Sequence, residues 1–531
     1  MAKTKIVIGD WWLVISEKIK KKIKINQKEF IFLLLILALS AFFRLWRISE
    51  YMTFLGDEGR DAIVVRRLLV FLDPILIGPG TSIGNMYLGP LYYYFMAPWL
   101  FLSGLSPVGP AVGIAVLGVA TVFMVWFVSR EWFGVKAAWI AAFFYAISPV
   151  VITYSHSSWN PNIMPFFAIL SMYSLWKIFK KGKVIWYLIL GTSFAFVLQS
   201  HYLGLLLLPT ILVFLLFVFV KIRILKLFEN WKLEFVNFLR NTLLAFIIFV
   251  GLMSPLAVFD ARHDWQNAAA IKKFFLERQT TVSAKPWANL DKTLPIYDQI
   301  NSSLVGAGDI NATYIVTWGS IWTLAWAIYE SIRKRKLVFQ TSFLLVLAWL
   351  GFGIIGLSLY KQQIYDHYFG FLFPAIFIFL GTLFSFIWKK SNRVGKIILV
   401  LTVGYLVLVN LAGNPLRYSP NRQLQRSLEV ADKIVEESNF ARFNIAVIAE
   451  RNYEDAYQYI LEWRFDPVVD IDPLNYEATS TDQLFVVCEL QKEKCDPTHN
   501  PKTEVANFGW SKIEGEWDVG GVTLYKLVHS L

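Results

Sequence analysis

The sequence contains few charged residues and few cysteines, and both features narrow the class of protein it can encode. Charged residues make up 17% of the 531 residues, whereas soluble globular proteins carry about 25%. The two cysteines, Cys488 and Cys495, lie in a polar C-terminal segment and have no metal-binding spacing. A local disulfide and two unpaired thiols are both compatible with this pattern. Glycine-rich phosphate loops are absent, and so is a chain of carboxylates within the apolar runs, which disfavours a proton pump.

Apolar and aromatic residues are plentiful instead. Hydrophobic residues make up 56% of the chain, including 44 Phe, 23 Tyr and 21 Trp. The net charge is +12, and the cations fall in short clusters between apolar runs. The clusters lie at Lys18 to Lys24, Lys180 to Lys183, Arg333 to Lys336 and Lys389 to Lys396. This pattern is typical of cytoplasmic loops in a membrane protein, so we predict an integral membrane protein that binds the bilayer and no nucleic acid.

Twelve runs are candidates for membrane spans, since a spanning helix needs about 20 apolar residues. If all twelve crossed, most basic clusters would lie outside. Omitting 86–104, which contains Pro90, Pro98 and a Tyr-rich stretch suited to the interface, places every cluster inside. We therefore predict about eleven spans, with the N-terminus cytoplasmic and the C-terminus outside. The predicted spans are 30–47, 109–128, 136–153, 162–179, 184–200, 203–221, 240–259, 313–331, 339–360, 367–388 and 395–412.

Three regions follow from this arrangement. A basic cytoplasmic segment covers 1–29, and a membrane domain covers 30–412, with outer loops at 48–108 and 260–312. Residues 413–531 are mixed in character and predict a small soluble α/β domain outside the membrane. Within it we expect a helix at 422–438, a helix near Tyr453 to Trp463, buried strands at Phe443 to Ile448 and Gln483 to Glu489, and a further candidate strand at Val522 to Val528.

The polar residues of the membrane domain gather on the predicted outer face. The first outer loop contains Asp57-Glu58-Gly59-Arg60-Asp61. A solvated helix start explains that cluster equally well, because acidic residues favour a helix N-terminus. Four of the six histidines lie at outer helix ends: His156, His201, His263 and His367. Ionisable groups at membrane depth are costly and tend to mark a cavity, so we predict one site there.

The ordered set of motifs resembles the C-type glycosyltransferases, which use a polyprenyl-phosphate sugar donor. The resemblance covers about 30–400 and is to the bacterial branch related to protein O-mannosyltransferases and aminoarabinose transferases. It lies in the Asp57-Glu58 pair, in Gly89-Pro90-Leu91-Tyr92-Tyr93, in Trp159-Asn160-Pro161-Asn162 and in His367-Tyr368-Phe369. The fold it implies is an all-α polytopic membrane protein of the C-type, followed here by the α/β domain.

The resemblance implies that Asp57 is the catalytic general base and Glu58 its companion acid. The second-loop acid of the family has no counterpart, and His156, Asn160 or Asn162 occupies that stretch. Some members carry a Glu-Lys pair where this chain has Tyr87-Leu88. Metal dependence therefore stays open: a divalent metal is possible, with Glu58 and His263 as its ligands.

Attack by an acceptor hydroxyl opposite the leaving phosphate implies inversion at the anomeric carbon. The acceptor is a lipid, a glycan or a protein. The leaving phosphate needs cations or hydrogen-bond donors, for which we consider Arg60, Arg66, Arg262 and Lys361, with His201, His263 and His367. The full set of predicted substrate-binding residues is Glu58, Arg60, Asp61, His156, Asn160, Asn162, His201, Arg262, His263, Lys361, Tyr365 and His367.

Two other functions stay open. An O-antigen-ligase-type enzyme would favour a large arginine-bearing outer loop. A lipid-sugar transporter or flippase would favour inverted repeats and ionisable groups at the midplane of the bilayer. All three readings place the protein in the plasma membrane.

Overall fold

The computed structural model describes residues 25–81, 86–224, 230–276, 289–333 and 340–530. Most of the predicted basic N-terminal segment lies outside these ranges. So do part of the 260–312 loop and part of the basic cluster at Arg333 to Lys336.

The membrane part consists of helices joined by short turns. Its α-helices are α1 (Gln27–Leu45), α2 (Ile48–Tyr51), α3 (Gly56–Phe71), α4 (Leu91–Leu102), α5 (Val108–Phe133), α6 (Val135–Ile147), α7 (Pro149–Tyr154), α8 (Met164–Lys181), α9 (Val184–Ser200), α10 (Leu208–Phe219), α11 (Trp231–Arg262), α12 (Gln266–Leu276), α13 (Thr293–Asn301), α14 (Ile310–Arg333), α15 (Thr341–Ser358), α16 (Phe373–Lys390) and α17 (Arg393–Ala412). Short 3₁₀ helices at Asn160–Ile163, Tyr202–Leu207 and Asp366–Leu372 lead directly into α8, α10 and α16.

Each of the predicted spans coincides with one or two of these helices. Among the described residues, seven helices are long and apolar enough to cross a membrane. They are Val108–Phe133, Asn160–Lys181, Tyr202–Ile224, Trp231–Arg262, Thr341–Ser358, Asp366–Lys390 and Arg393–Ala412. The chain is thus a multi-pass membrane protein, while the count of about eleven spans stays a prediction.

The run at 86–104 forms only the 12-residue helix α4. At 1.5 Å per residue this helix is about 18 Å long, whereas the hydrocarbon core of a bilayer is about 30 Å thick. The length agrees with the omission of this run from the predicted spans. Gln199 Oε1 accepts a hydrogen bond of 3.2 Å from the Leu91 backbone N–H and so holds the start of α4.

The basic residues lie at one end of the helices. α8 ends with Lys180 and Lys181 in its last turn, and the left-handed Gly182 stops it. α16 ends with Lys389 and Lys390. Cations near a helix C-terminus are stabilised by the helix dipole. Both helices begin at the opposite end, directly after the short helices that contain Asn160 and His367, so cations and site residues occupy different ends of the bundle.

The C-terminal domain is α/β, as predicted. A four-stranded sheet has the order β1-β2-β4-β3, with β1 parallel to β2 and the other pairs antiparallel. The elements are α18 (Gln423–Ser438), β1 (Asn444–Ile448), α19 (Asp455–Trp463), α20 (Tyr476–Thr479), β2 (Gln483–Cys488), α21 (Thr503–Phe508), β3 (Ser511–Val519) and β4 (Val522–His529). Cys488 and Cys495 form a disulfide, which resolves the two alternatives left by their spacing.

Three of these strands and the two long helices confirm the sequence expectations. β3 was not predicted, because its residues are mostly exposed and partly polar. The sequence of β3 lacks the continuous apolar run that marks β1 and β2. Those two strands are buried at every position.

The C-terminal domain shares a hydrophobic core with α3 and α4. Phe54 and Val65 lie in one buried cluster with Tyr459 and Ile460 of α19. Tyr459 Oη also donates a hydrogen bond of 2.5 Å to the Leu105 carbonyl. Buried apolar area is the main stabilising term in such contacts, so the domain is fixed against the membrane part at the helix that contains Asp57.

Candidate active site

Helix α3 begins at the junction of the two parts of the molecule. The Gly56 N–H donates a hydrogen bond of 2.8 Å to Asn452 Oδ1, so the C-terminal domain satisfies one of the free N–H groups of the first turn. A Cβ atom on Gly56 would lie 2.6 Å from the ring of Tyr453, and one on Gly59 would lie 2.3 Å from the Ala456 nitrogen. These two glycines permit the close approach of α19 and the loop before it.

Asp57 is held through one of its two carboxylate oxygens. Arg60 Nη1 donates to Asp57 Oδ1 at 2.8 Å, and Tyr453 Oη donates to the same oxygen at 2.5 Å. The side chain is 43% exposed. Hydrogen bonds that fix Oδ1 orient the carboxylate and leave Oδ2 to accept a proton from a bound molecule.

Arg60 links Asp57 to the buried Asp61. Its Nη2 donates to Asp61 Oδ1 at 2.7 Å, and Tyr93 Oη donates to that oxygen at 3.0 Å. Burial raises the pKa of Asp61 to about 6, although Arg60 acts in the opposite direction. Asp61 therefore serves to position the guanidinium, and its side chain lies beneath the cavity surface with no exposed area.

Glu58 points away from the cavity and into the protein. Its Oε1 accepts a hydrogen bond of 2.7 Å from Ser157 Oγ, and its Oε2 accepts one of 3.1 Å from the Leu55 N–H. Burial raises its pKa to about 7 despite these two donors. Glu58 thus joins the first outer loop to the second and closes the first turn of α3.

A cavity of about 280 Å³ opens beside Asp57. Five of the predicted site residues line it: Asp57, Arg60, Asn160, His201 and His367. The rest of its wall consists of Pro79, Gly80, Thr81, Leu88, Trp159, Pro161, Tyr202 and Tyr368. Residues distant in the sequence, from the first outer loop to the start of α16, therefore meet at one end of the helices.

The two histidines of the cavity lie close together. Their ring centroids are 5.9 Å apart, and the His367 ring lies 4.5 Å from that of Trp159. His201 Nδ1 accepts a hydrogen bond of 3.2 Å from the Leu203 N–H, which leaves the ring proton on Nε2. Burial lowers the pKa of His201, in the turn between α9 and the next short helix, to about 3, so it is a neutral donor.

Of the polar second-loop residues, only Asn160 reaches the cavity. Its Nδ2 donates to the Ser200 carbonyl at 2.7 Å. Asn162 Nδ2 donates to the Ser157 carbonyl at 2.8 Å, and its side chain faces a smaller space behind His367. His156 is buried with Nε2 2.9 Å from the Phe43 carbonyl, and burial lowers its pKa to about 4, so it is neutral and structural.

The remaining predicted cations lie outside the cavity wall. Arg66 forms an ion pair with Glu462 at 3.5 Å and lies over the Phe465 ring at 5.1 Å, so it attaches the C-terminal domain. Arg262 and Lys361 are exposed and do not line the cavity. The ring of Tyr365 stacks on His367 with centroids 5.9 Å apart and is 43% exposed.

Neither of the suggested metal ligands, Glu58 and His263, lines the cavity. His263 is exposed and stacks on Phe259, whose carbonyl it contacts through Nδ1 at 2.8 Å. Both oxygens of Glu58 already accept hydrogen bonds. Within the described ranges no group of three His, Cys, Asp or Glu side chains could hold a metal ion.

Sequence reasoning missed Tyr453 as a site residue, together with Tyr202 and Tyr368. A signal for Tyr453 was present, because it follows the carboxyl end of the predicted strand β1. Ligands of open α/β sheets bind at the carboxyl ends of parallel strands. Its partner, however, lies almost 400 positions away, and no local pattern indicates which surface of the domain meets α3.

Comparison with known proteins shows which families and folds the chain is similar to. Residues 88–252, which are less than half of the chain, match the family model described as dolichyl-phosphate-mannose-protein mannosyltransferase. Over 106 residues the chain is 30% identical to "Putative mannosyltransferase YkcB" of Bacillus subtilis (strain 168). That match covers 19% of this chain and only 14% of the relative.

Solved structures match over nearly the whole length. ArnT from Cupriavidus metallidurans, bound to undecaprenyl phosphate, superposes with a TM-score of 0.57 at 13% identity, covering 93% of this chain and 97% of ArnT. The chain has the C-type glycosyltransferase fold. Oligosaccharyltransferase AglB from Archaeoglobus fulgidus, in complex with an inhibitory peptide and a dolichol-phosphate, gives 0.52 at 15% identity, covering 90% and 70% of the two chains. The family match and the fold together support a glycosyltransferase.

Proposed function

We propose that the protein transfers a sugar from a polyprenyl-phosphate donor to an acceptor hydroxyl, with Asp57 as general base and with inversion at the anomeric carbon. The observation that carries the proposal is the cavity itself. A carboxylate fixed through one oxygen, a cation and two imidazoles meet at the end of a bundle of apolar helices. That arrangement suits a donor whose lipid stays in the bilayer while its sugar enters the cavity.

The proposed step is a direct displacement at the anomeric carbon. The acceptor oxygen attacks the anomeric carbon from the face opposite the phosphate, and its proton passes to Asp57 Oδ2. The bond between the anomeric carbon and the phosphate oxygen breaks, and its electron pair leaves with the polyprenyl phosphate. General base catalysis of this kind contributes about 10²–10⁴-fold to a rate.

The leaving phosphate gains charge as that bond breaks, and the cavity offers donors to stabilise it. Arg60 supplies a guanidinium whose charge Asp61 fixes in place. The neutral His201 presents its Nε2–H, because Nδ1 is occupied by the Leu203 backbone. Donors positioned where charge develops are among the largest contributions to catalysis. His367 stands beside them as a further donor.

The comparisons are consistent with a lipid-phosphate donor. The ArnT structure holds undecaprenyl phosphate, and the AglB structure holds a dolichol-phosphate. At 13% and 15% identity, these neighbours share the fold of this chain. The donor class is our proposal, and an assay with candidate sugars and acceptors tests it.

The proposed orientation places the cavity and the C-terminal domain outside the plasma membrane and the N-terminus in the cytoplasm. The cations at the opposite helix ends support it through the positive-inside rule, and the Cys488–Cys495 disulfide suits an oxidising compartment. A reporter fused after Lys336 should read as cytoplasmic, and one fused after Leu531 should not. The reverse result would overturn the orientation.

The decisive experiment offers the purified protein a panel of labelled polyprenyl-phosphate sugars with candidate acceptors. We expect release of polyprenyl monophosphate together with a product whose anomeric configuration is opposite to that of the donor. A ligase acting on a diphosphate-linked donor releases no monophosphate, and a flippase moves the donor without cleaving it. Either outcome would replace the proposed function.

A further inference from the structure

A second, larger cleft lies on the C-terminal domain next to the start of α3. Its volume is about 490 Å³, and it opens at the carboxyl ends of the parallel strands β1 and β2. Its lining includes residues that follow β1, residues that follow β2, and Leu55 of the membrane part. Crevices outside the carboxyl ends of parallel strands are common ligand sites. This cleft is separate from the candidate active site.

The cleft is joined directly to the candidate active site. Asn452 lines it and accepts the Gly56 N–H of α3 through Oδ1. The next residue, Tyr453, donates to Asp57. The pair Asn452-Tyr453 therefore connects the cleft to the start of α3 and to Asp57.

The wall of the cleft is rich in side chains that recognise hydroxyl and anionic groups. Glu489 accepts hydrogen bonds from Asn452 at 2.8 Å and from Tyr457 at 2.7 Å, and Arg426 lies 4.0 Å from it, so its charge is already balanced. Arg451 and Lys494 are exposed and form no ion pair among the described residues. With these two cations and the single carboxylate of Glu450, the open part of the cleft has a net positive charge.

We propose that this cleft binds the acceptor, and that the acceptor is a glycan head group carrying a phosphate or carboxylate. Amide and carboxylate side chains hydrogen-bond to sugar hydroxyls, while Arg451 and Lys494 bind the anionic group. The disulfide from Cys488 to Cys495 fixes the loop that carries Lys494, so the wall is formed before the ligand binds. The inference rests on the proposed transfer reaction for its role, whereas the binding itself does not require turnover.

The test measures binding to the full-length protein in nanodiscs by saturation-transfer NMR. The probes are glucose 6-phosphate, glucuronate, glucose and inorganic phosphate. We expect both anionic sugars to bind more tightly than glucose or inorganic phosphate, and the stronger of the two identifies the anionic group. The double variant Arg451→Gln/Lys494→Gln should weaken their binding about tenfold or more.

The matched control replaces two exposed cations elsewhere on the same domain, Arg442→Gln/Lys512→Gln, and should bind like the unchanged protein. Equal binding of glucose and the anionic sugars, or no loss in the cleft variant, would overturn the proposal. Binding of inorganic phosphate as tightly as the sugars would also overturn it, because the cleft would then be an anion site only.

The Asp57→Asn variant separates this inference from the proposed function. It should bind the anionic sugars normally, since the cleft is intact. If binding follows the cleft residues but no donor supports transfer, the cleft stands and the proposed function fails. If transfer is found but its acceptor KM is unchanged in the cleft variant, the inference fails and the proposed function stands.

Discussion

The two walls of the cavity differ in what their side chains can do. The wall built by the membrane helices consists of stacked rings and a neutral imidazole, represented by Trp159, His201 and Tyr368. The wall nearest the C-terminal domain is built from charge and short hydrogen bonds, with Tyr453 and Arg60 meeting on Asp57. We propose a division of labour on this basis, in which the membrane part holds the proposed lipid-linked donor and the C-terminal domain positions the proposed base.

The largest expected effect comes from replacing Asp57, the carboxylate at which the two walls meet. Asp57→Asn keeps the shape of the side chain but cannot accept the proton, so transfer should fall by about 10²–10⁴-fold. Expression and membrane insertion should stay normal. The measurement is label transfer from a polyprenyl-phosphate sugar, with Asp73→Asn, an exposed acid beyond the other end of α3, as control. Near-normal transfer by Asp57→Asn would remove the assignment.

The next largest effect is expected from Tyr453→Phe, which tests whether the C-terminal domain positions Asp57. Tyr453→Phe deletes the hydrogen bond of 2.5 Å to Asp57. Hydrogen bonds to charged groups contribute about 1.5–3 kcal/mol, so kcat should fall roughly tenfold to hundredfold. The KM for the donor should change little, because the membrane wall is untouched.

Its control removes a different phenol from the same junction. Tyr459→Phe deletes the hydrogen bond to the Leu105 carbonyl but leaves Asp57 undisturbed. It should lower the thermal stability while kcat stays close to that of the unchanged protein. If both variants lose kcat equally, the domain acts through docking alone and the comparison between the walls fails.

A smaller effect is expected from separating the two parts. In Gly59→Ala the new Cβ would lie 2.3 Å from the Ala456 nitrogen, so α3 and α19 must move apart. Overpacking of this kind costs about 1–3 kcal/mol, and the unfolding temperature and the transfer rate should both fall. Gly251→Ala, in open space on α11, is the matched control and should be neutral. Equal stability of the two variants would show that the contact tolerates the methyl group.

The smallest effect is a pH dependence of stability. Burial raises the pKa of Glu58 from 4.5 to about 7, so the folded protein binds more protons than the unfolded chain between these values. This contribution to stability is fully present below about pH 4.5 and is lost as the pH rises towards 7. Glu58→Gln should flatten the fall in melting temperature across that window. Glu50→Gln should not, because hydrogen bonds from Arg47 lower the pKa of that half-buried acid below 4.5. An unchanged profile in Glu58→Gln would show that another group titrates there.

The membrane part was predictable to a large extent because its signals are local. Runs of about 20 apolar residues and clusters of cations indicate helices and their ends without knowledge of the partners. The assignment of Asp57, His201 and His367 to one face of the bundle followed from the order of those runs. The structure brings these three residues to one cavity.

Such local signals could not separate the predicted residues that face the cavity from those that are buried in other contacts. Glu58 and Asp57 are adjacent in the sequence, yet one is buried under Ser157 and the other faces the cavity. Arg60 and Arg66 both follow on α3, but Arg66 is bound by Glu462 of the C-terminal domain. Which side of α3 faces the cavity is decided by the domain that packs on its other side.

The sequence by itself determined a helical membrane protein. It also determined that the clusters of cations lie at one end of the helices and the acidic and histidine side chains of the site at the other, since hydrophobic length and charge act locally along the chain. Only the tertiary structure decided that Tyr453 meets Asp57 and that Gly56 and Gly59 must stay without side chains. Those contacts join residues almost 400 positions apart, and close packing across such a distance depends on the shape of both surfaces rather than on any pattern within either one.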